Sequence, residues 1–223
     1  MASEVVVGEK EMGPGAADVT TELDESQITH PLATSWTFYY LDPDEARKDW
    51  SRANRDVLSF DTVEDFWALY HHITPLSQLR KGSDYSLFRG GKADMDRIKP
   101  AWEDKQNRLG GAWKIAFEVR QVGPRVDDIF RELLMICVGE HFGETGEYVN
   151  GVVASARAKQ FRFGIWTKDE DESHCVAIGE RIKEALPANM KIQMEFVSHQ
   201  EQERVSQAAR GVEARPKFTL FKN

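Results

Sequence analysis

The segment GVVASARAKQFRFGIW, residues 151–166, holds two strand patterns separated by a short turn. Residues 151–159 and 161–166 are rich in β-branched and aromatic side chains, which favour strands. The link near Gln160 is too short for a crossover helix, so the two strands are expected to run antiparallel. This hairpin predicts an antiparallel sheet.

Further strand and helix patterns surround this hairpin. Strands are predicted at 35–41, 55–60, 85–88, 112–119, 191–197 and 217–221, and helices at 61–73, 126–143 and 171–186. The first helix opens with Asp61 three residues before Glu64, a capping-box spacing, and the other two are predicted to end at Gly143 and Pro187. The chain is therefore predicted to be an α+β protein, with an antiparallel sheet of seven to eight strands, three helices on one face and an open opposite face.

The composition is that of an ordinary globular protein. Its 223 residues are 41% hydrophobic and 30% charged, which suits one domain with a large core. Residues 1–29 carry seven acidic side chains against Lys10 and have no aromatic residue, so we expect a disordered acidic tail before a single domain at 30–223. The sequence has neither an apolar run of about 18 residues nor a signal-like N-terminus, which predicts a cytoplasmic protein without membrane contact.

Charge and motifs argue against several classes of function. A net charge of −8 disfavours a general nucleic-acid binder, which would carry a basic excess. The sequence contains no phosphate-binding loop and no dinucleotide-binding glycine motif. Cys137 and Cys175 have neither disulfide-scaffold nor metal-ligand spacing. We therefore predict no metal, no cofactor and no enzymatic activity.

Two tryptophans lie outside any strand or helix pattern. Trp50 lies in a charged connector, and Trp102 precedes Glu103 in the loop segment PAWEDKQN. Two loop indoles can sandwich a flat ring, best of all a positively charged one, and a carboxylate accepts two parallel N–H donors of the kind that a guanine edge offers. The alternatives are that Trp50 folds back onto the core and that Glu103 is a solvated loop acid.

A cluster of cations is predicted on the hairpin. Arg157 and Lys159 are two positions apart and would therefore share one face of its first strand. Arg162 would share one face of the second strand with Gly164 and Trp166. Cations gathered in an acidic protein indicate a local anion site that fits a polyphosphate chain. The alternative is an edge strand protected by charge.

Several of these segments resemble one known family. They are HPL (30–32), FDTVEDFWALY (60–70), DYSLF (84–88), PAWED (100–104), GGAW (110–113), RAK (157–159) and GIW (164–166). Together they resemble the eukaryotic translation initiation factor 4E family, which binds the 7-methylguanosine cap of mRNA. The resemblance spans His30 to about His199. It implies a curved antiparallel sheet with three helices on its convex face and the cap site on its concave face.

The resemblance also implies roles for individual residues. Trp50 and Trp102 would stack on the methylated guanine, Glu103 would accept its N1 and N2 protons, and the backbone N–H of Trp102 would donate to O6. Trp166 would contact the N7-methyl group. The triphosphate contacts would be Arg157, Lys159 and Arg162.

The opposite face would hold a protein partner. Members of the family bind a helical peptide with the pattern Tyr, four residues, Leu and an apolar residue. The matching patch in this chain comprises His30, Pro31, Val63, Trp67, Glu132, Leu134 and Met135. Arg131 stands where the family usually has an apolar residue, which puts partner affinity or choice in question. The periodicity of Trp67 would equally suit a core residue.

Three further departures from the family pattern bear on function. Residues 89–101 and 200–216 are longer than usual, and Ala112 replaces a common basic residue. The 200–216 segment could fold over the second nucleotide of the cap or remain a mobile loop. The sequence predicts a monomeric, non-enzymatic protein that recruits capped mRNA to translation through a scaffold of the 4G type. The alternatives are a cap-binding repressor, or an interaction adaptor with a weakened cap site.

Overall fold

The computed structural model describes residues 29–48, 53–91, 95, 97–208 and 212–222. The predicted tail, apart from Thr29, and the stacking residue Trp50 lie outside the described residues. No helix within the described ranges is long and apolar enough to cross a membrane.

Eight strands form one antiparallel sheet. They are β1 (Pro31–Leu41), β2 (Asn54–Thr62), β3 (Asp84–Arg89), β4 (Gly111–Glu118), β5 (Val149–Ala156), β6 (Gln160–Thr167), β7 (Ile192–Ser198) and β8 (Phe218–Lys222). Their order across the sheet is β2-β1-β3-β5-β6-β4-β7-β8, and the sheet is curved and does not close into a barrel. The predicted α+β class and all eight strand patterns are confirmed.

The part of the chain that the structure describes contains six α-helices. These are α1 (Pro43–Lys48), α2 (Val63–His72), α3 (Val119–Val122), α4 (Arg125–Val138), α5 (Glu172–Ala185) and α6 (His199–Gln207). The three predicted helices correspond to α2, α4 and α5. The remaining three were not predicted, and α6 occupies much of the segment at 200–216 whose conformation the sequence left open.

The predicted helix ends need correction. Thr62, not Asp61, caps α2, because its side-chain oxygen accepts a hydrogen bond from the backbone N–H of Asp65 at 3.2 Å. Helix α4 ends at Val138 rather than Gly143, since Glu140 has a positive φ of 52° that a helix cannot continue through. Helix α5 ends at Ala185, two residues before Pro187.

The core lies between the sheet and the helices on its convex face. Trp36 and Trp113 are both fully buried there, so the core interpretation holds for these two indoles. The Trp113 ring N–H donates to the Cys175 carbonyl at 2.7 Å. Gly179 of α5 makes this approach possible, because a Cβ at that position would lie 2.6 Å from the Trp113 ring. Helix α5 is thereby fixed against β4.

Strand β6 shows how the sheet separates its two faces. Phe161, Phe163 and Ile165 are buried in the core, whereas Arg162 is exposed and Trp166 is half-buried on the concave face. This alternation follows from the two-residue repeat of a strand. The concave face is thus left open for a ligand.

Candidate functional site

A cleft of about 660 Å³ opens on the concave face of the sheet. Side chains of the four adjacent strands β5, β6, β4 and β7 form its floor, and Trp102, His199 and Gln202 are at its rim. The strand register places Ala112 beside Trp166, Lys114 beside Gly164, and Ser155 beside Arg162. The cleft has the size of a small-molecule or nucleotide site.

The loop that carries Trp102 is held by buried amides. The Asn107 side-chain amide donates to the carbonyls of Lys99 and Ala101 at 2.9 and 2.8 Å. Asn107 is fully buried, and its side-chain oxygen accepts from Asn150 of β5 at 3.0 Å. The Asp104 carboxylate also accepts from the backbone N–H of Lys99 at 3.1 Å. These contacts fix an irregular loop to the sheet, and none of the amides was predicted.

Trp102 and Glu103 lie at the border between two cavities. The half-buried Trp102 lines the main cleft, whereas Glu103 lines a neighbouring cavity of about 590 Å³ next to Tyr39 and Asn54. The Trp102 indole N–H donates to a Glu103 carboxylate oxygen at 2.6 Å. An aromatic plate and a charged hydrogen-bond acceptor are thus coupled at the mouth of the site.

Trp166 forms an aromatic wall of the cleft. Its ring meets Phe88 edge-on at 5.3 Å between centroids and packs on His199 at 4.2 Å. Burial, together with the nearby charge of Lys114, lowers the pKa of His199 to about 4. His199 is therefore neutral near pH 7 and packs as an uncharged ring. Sequence reasoning missed it, because a histidine after a strand carries no distinctive signal.

The predicted cation cluster is only partly assembled. Strand β5 ends at Ala156, so Arg157 and Lys159 lie in the turn and do not alternate on one strand face as predicted. Arg157 lines the cleft, where its guanidinium pairs with the Asp84 carboxylate at 2.6 Å. Lys159 is exposed in the turn and is not among the side chains lining the cleft. Arg162 lines the cleft from β6, as predicted.

A cation that was not predicted lies on the cleft floor. Lys114 of β4 extends along the cleft and donates to the side-chain oxygen of Gln202 on α6. The pKa of Lys114 is lowered mainly by burial and, to a smaller extent, by the nearby positive charge of Arg162. Its position two residues after Ala112 was the available signal, since both fall on the same face of β4. No cluster of metal-ligating side chains occurs within the described residues.

On the convex side, the predicted partner patch is mostly accessible. His30 and Pro31 are exposed, while Val63, Glu132 and Met135 are half-buried. The Glu64 carboxylate orders the start of the patch by accepting from the backbone N–H of His30 at 2.9 Å, with its other oxygen 2.6 Å from the His30 ring. Leu134 is a correction, because it is only 2% exposed and belongs to the core.

Trp67 is the aromatic residue of this patch. It is half-buried, with its ring 5.0 Å from Phe66 and stacked on His71 at 5.7 Å. One face therefore packs towards the core while part of the ring stays accessible. Arg131 lies on the neighbouring helix α4 and pairs with Asp128 at 3.0 Å and Glu132 at 3.5 Å.

The protein has a curved open sheet, and tryptophans and cations line its concave face. These features place it in the class of single-sheet ligand-binding proteins. The family model for eukaryotic initiation factor 4E matches residues 31–213. The eukaryotic translation initiation factor 4E of Candida albicans is 35% identical over 201 residues, covering 89% of this chain and 93% of the relative. The chain therefore belongs to the eukaryotic initiation factor 4E family.

Solved structures give the same result. Ascaris suum eIF4E-3 in complex with an m2,2,7G cap is 34% identical, with a TM-score of 0.73 over 86% of this chain and 99% of that one. C. elegans eIF4E-3, solved with the 4E-binding protein Mextli and a cap analog, is 34% identical, with a TM-score of 0.72 over 86% of this chain and 100% of that one.

Proposed function

We propose that this protein binds the 7-methylguanosine cap of mRNA and recruits capped mRNA to translation initiation. The observation that carries the proposal is the coupled pair of Trp102 and Glu103, fixed at the mouth of a cleft that contains Trp166 and Arg162. The related Ascaris suum protein was solved with a methylated cap, which supports the same ligand class here. The protein acts by binding and not by catalysis.

The chemistry of the cap explains why these side chains suit it. Methylation at N7 gives the guanine a positive charge. Stacking of a cation on an aromatic ring contributes about 0.5 to 2 kcal/mol. Hydrogen bonds to a charged group such as the Glu103 carboxylate contribute about 1.5 to 3 kcal/mol each. Unmethylated guanine keeps the shape but loses the charge, so it binds more weakly.

The remaining site residues complete the proposal. Trp166 contacts the methylated edge of the base from the cleft. Trp50, which lies outside the described residues, is proposed as the second stacking plate on the strength of the family resemblance alone. Arg162 and Arg157 bind the phosphates from the cleft, and Lys159 reaches them from the neighbouring turn. Arg157 starts from an anchored position, because its guanidinium is already held by Asp84.

The convex patch binds the partner that links the cap to the ribosome. A scaffold of the 4G type, or a binding protein with a similar helical motif, would dock against Trp67 and Val63 of α2 and Met135 of α4. The C. elegans relative was solved with a 4E-binding protein, which supports a partner of this kind. In this proposal the protein is a monomer and works in the cytoplasm.

A repressor is the second candidate, and Arg131 is the observation that favours it. Its side chain adds a positive charge beside Glu132, where the family usually has an apolar residue, and this would select a different helical partner. Such a protein would bind caps without recruiting the scaffold. An adaptor with a weakened cap site is the third candidate, and it rests on the long segment at 89–101 and on Ala112 of the cleft floor.

Intrinsic tryptophan fluorescence tests the cap proposal directly. Titration with 7-methylguanosine triphosphate should quench the signal, and GTP should bind at least about tenfold more weakly because it lacks the ring charge. The same titration of a Trp102→Ala variant provides the control for site-specific quenching. Equal binding of both nucleotides by the wild type, or no binding, would refute the proposal.

A further inference from the structure

We propose that Lys114 is a specificity-determining residue of the cleft that contacts the phosphate chain of the bound cap, taking over the role of the basic residue missing at position 112. This inference rests on the proposed cap-binding function and assigns one more residue to it. The location, the neighbours and the charge balance of Lys114 support it.

The location follows from the alternation of β4. Trp113, Ile115 and Phe117 are buried in the core, so Ala112 and Lys114 face the cleft. Two residues along a strand correspond to about 6.6 Å. The flexible side chain of lysine spans this distance easily, so its ammonium group can reach a ligand bound above Ala112.

The neighbouring strands leave room for the Lys114 side chain. Gly164 is its register partner on β6 and has no side chain to cover it. A Cβ at Gly164 would approach the Trp166 ring nitrogen to 3.3 Å, so this position also lets Trp166 lie against the sheet. Trp166, Ala112 and Lys114 therefore line the same cleft at successive register positions of β4 and β6.

The charge balance around Lys114 favours an anion. Its ammonium donates to the neutral side-chain oxygen of Gln202, and no carboxylate of a described residue lies within salt-bridge distance of it. Glu195, its register partner on β7, lines the same cleft and offsets part of this charge, although its carboxylate is hydrogen-bonded to Gln193 at 2.7 Å and not to Lys114. Among the described residues that line the cleft, Lys114, Arg162 and Lys191 still outnumber this one acid.

A phosphate chain is the ligand that suits this arrangement. Two cations in a partly desolvated cleft repel each other, and an anion with several charges relieves that repulsion while it accepts hydrogen bonds from both. Lysine acts here as a compact point charge that can follow a flexible chain. Lys114 thereby restores the positive charge that Ala112 does not provide.

The test compares a ligand with phosphates and one without them. Wild type, Lys114→Met and Lys114→Arg are titrated with 7-methylguanosine triphosphate and with 7-methylguanosine, using tryptophan fluorescence. Lys114→Met should weaken triphosphate binding about tenfold and change nucleoside binding less than about twofold, whereas Lys114→Arg should stay close to wild type. Lys183→Met on α5, where Lys183 pairs with Glu180 at 2.8 Å, is the matched control for the loss of one charge elsewhere.

The outcomes separate this inference from the proposed function. Unchanged triphosphate binding by Lys114→Met would overturn the inference and leave cap binding intact. Equal weakening of both ligands would also overturn it, since that result indicates a structural role. A wild type that binds neither ligand would instead refute the proposed function. Lys114→Gln, which keeps a polar group beside Gln202, repeats the measurement if a thermal melt shows that the Met variant is unfolded.

Discussion

At the scale of single residues, the site contains proposed ligand contacts and residues that hold the loop in place. Trp102 and Trp166 line the cleft and Glu103 lines the neighbouring cavity, so all three are accessible to a ligand. Asn107 and Asp104 instead bind backbone groups and hold the loop in shape. Substitutions in the first set should alter binding, and substitutions in the second set should alter stability as well.

Glu103→Gln tests whether the carboxylate binds the N–H donors of the guanine. The variant keeps the size and one acceptor oxygen of the side chain but removes its charge. Affinity for 7-methylguanosine triphosphate should fall at least about tenfold, because the charge-assisted hydrogen bonds to the methylated ring are lost. Calorimetric titration gives the affinity, and a denaturation curve matching that of the wild type confirms that the fold is retained. A variant with wild-type affinity would leave Glu103 as a solvated loop acid.

The proposed ligand contacts could be singled out from the sequence, whereas the residues that hold the loop could not. Trp102 and Glu103 stand out because an indole beside an acid in a polar loop has no periodic reason to be buried. The Asn107 to Asn150 contact joins residues 43 positions apart, and no local pattern shows which buried amides will meet. Lys114 was missed because its importance depends on the neighbouring Gly164 and on the absence of a basic residue at 112.

At the scale of elements, helices α2 and α4 form one surface from two distant parts of the chain. In the proposed partner patch, Trp67 would supply an aromatic anchor, and Arg131 would add a charge beside Glu132. Accessible aromatic side chains at the centre of a patch commonly contribute most to protein binding, whereas charges at its rim affect selectivity. The two residues should therefore respond differently to substitution.

Pull-down and titration with a scaffold-derived helical peptide distinguish these contributions. Trp67→Ala should reduce peptide affinity at least about tenfold through loss of buried aromatic area. Arg131→Leu should strengthen binding, since it exchanges a charge for the apolar side chain common in the family. Both variants should retain cap affinity, which serves as the internal control. If Trp67→Ala left peptide binding unchanged, Trp67 would be a core residue that does not contact the partner.

Elements with a strong apolar pattern were predictable, and polar ones were not. All eight strands could be predicted from their aromatic and β-branched residues, and the three long helices from their apolar spacing. Helix α6 has His199 as its one buried residue and Val205 as its one apolar residue, so it lacks an apolar stripe. The order of strands was not predictable, because β4 pairs with β6 and β7 through connections that skip neighbours in sequence.

At the scale of the whole molecule, His199 couples folding stability to pH. It is 4% exposed and its pKa of about 4 lies well below the usual value of 6.5 for histidine. The unfolded chain therefore binds a proton below pH 6.5 that the folded chain binds only near pH 4. Stability is full above the unfolded pKa and is lost as the pH falls through this window, by roughly 3 kcal/mol in total.

Urea unfolding at pH 7.5, 6, 5 and 4.5 measures this dependence. The free energy of unfolding should decrease steadily across the series, and a His199→Phe variant should show a much smaller decrease. The depressed pKa of Glu64, about 2 because of its hydrogen bonds with His30, acts only below the usual glutamate range. A wild type and a His199→Phe variant with the same pH dependence would rule out this histidine as the source.

The hydrogen bond from the Trp102 ring N–H engages one of the two oxygens of the Glu103 carboxylate. The second oxygen can still accept, whereas a guanine edge with two parallel N–H donors requires both. Part of the free energy of the second guanine bond is therefore offset by weakening the internal contact. A base with a single donor avoids this cost but forms one bond only, so the contact favours a base whose two donors are both strong.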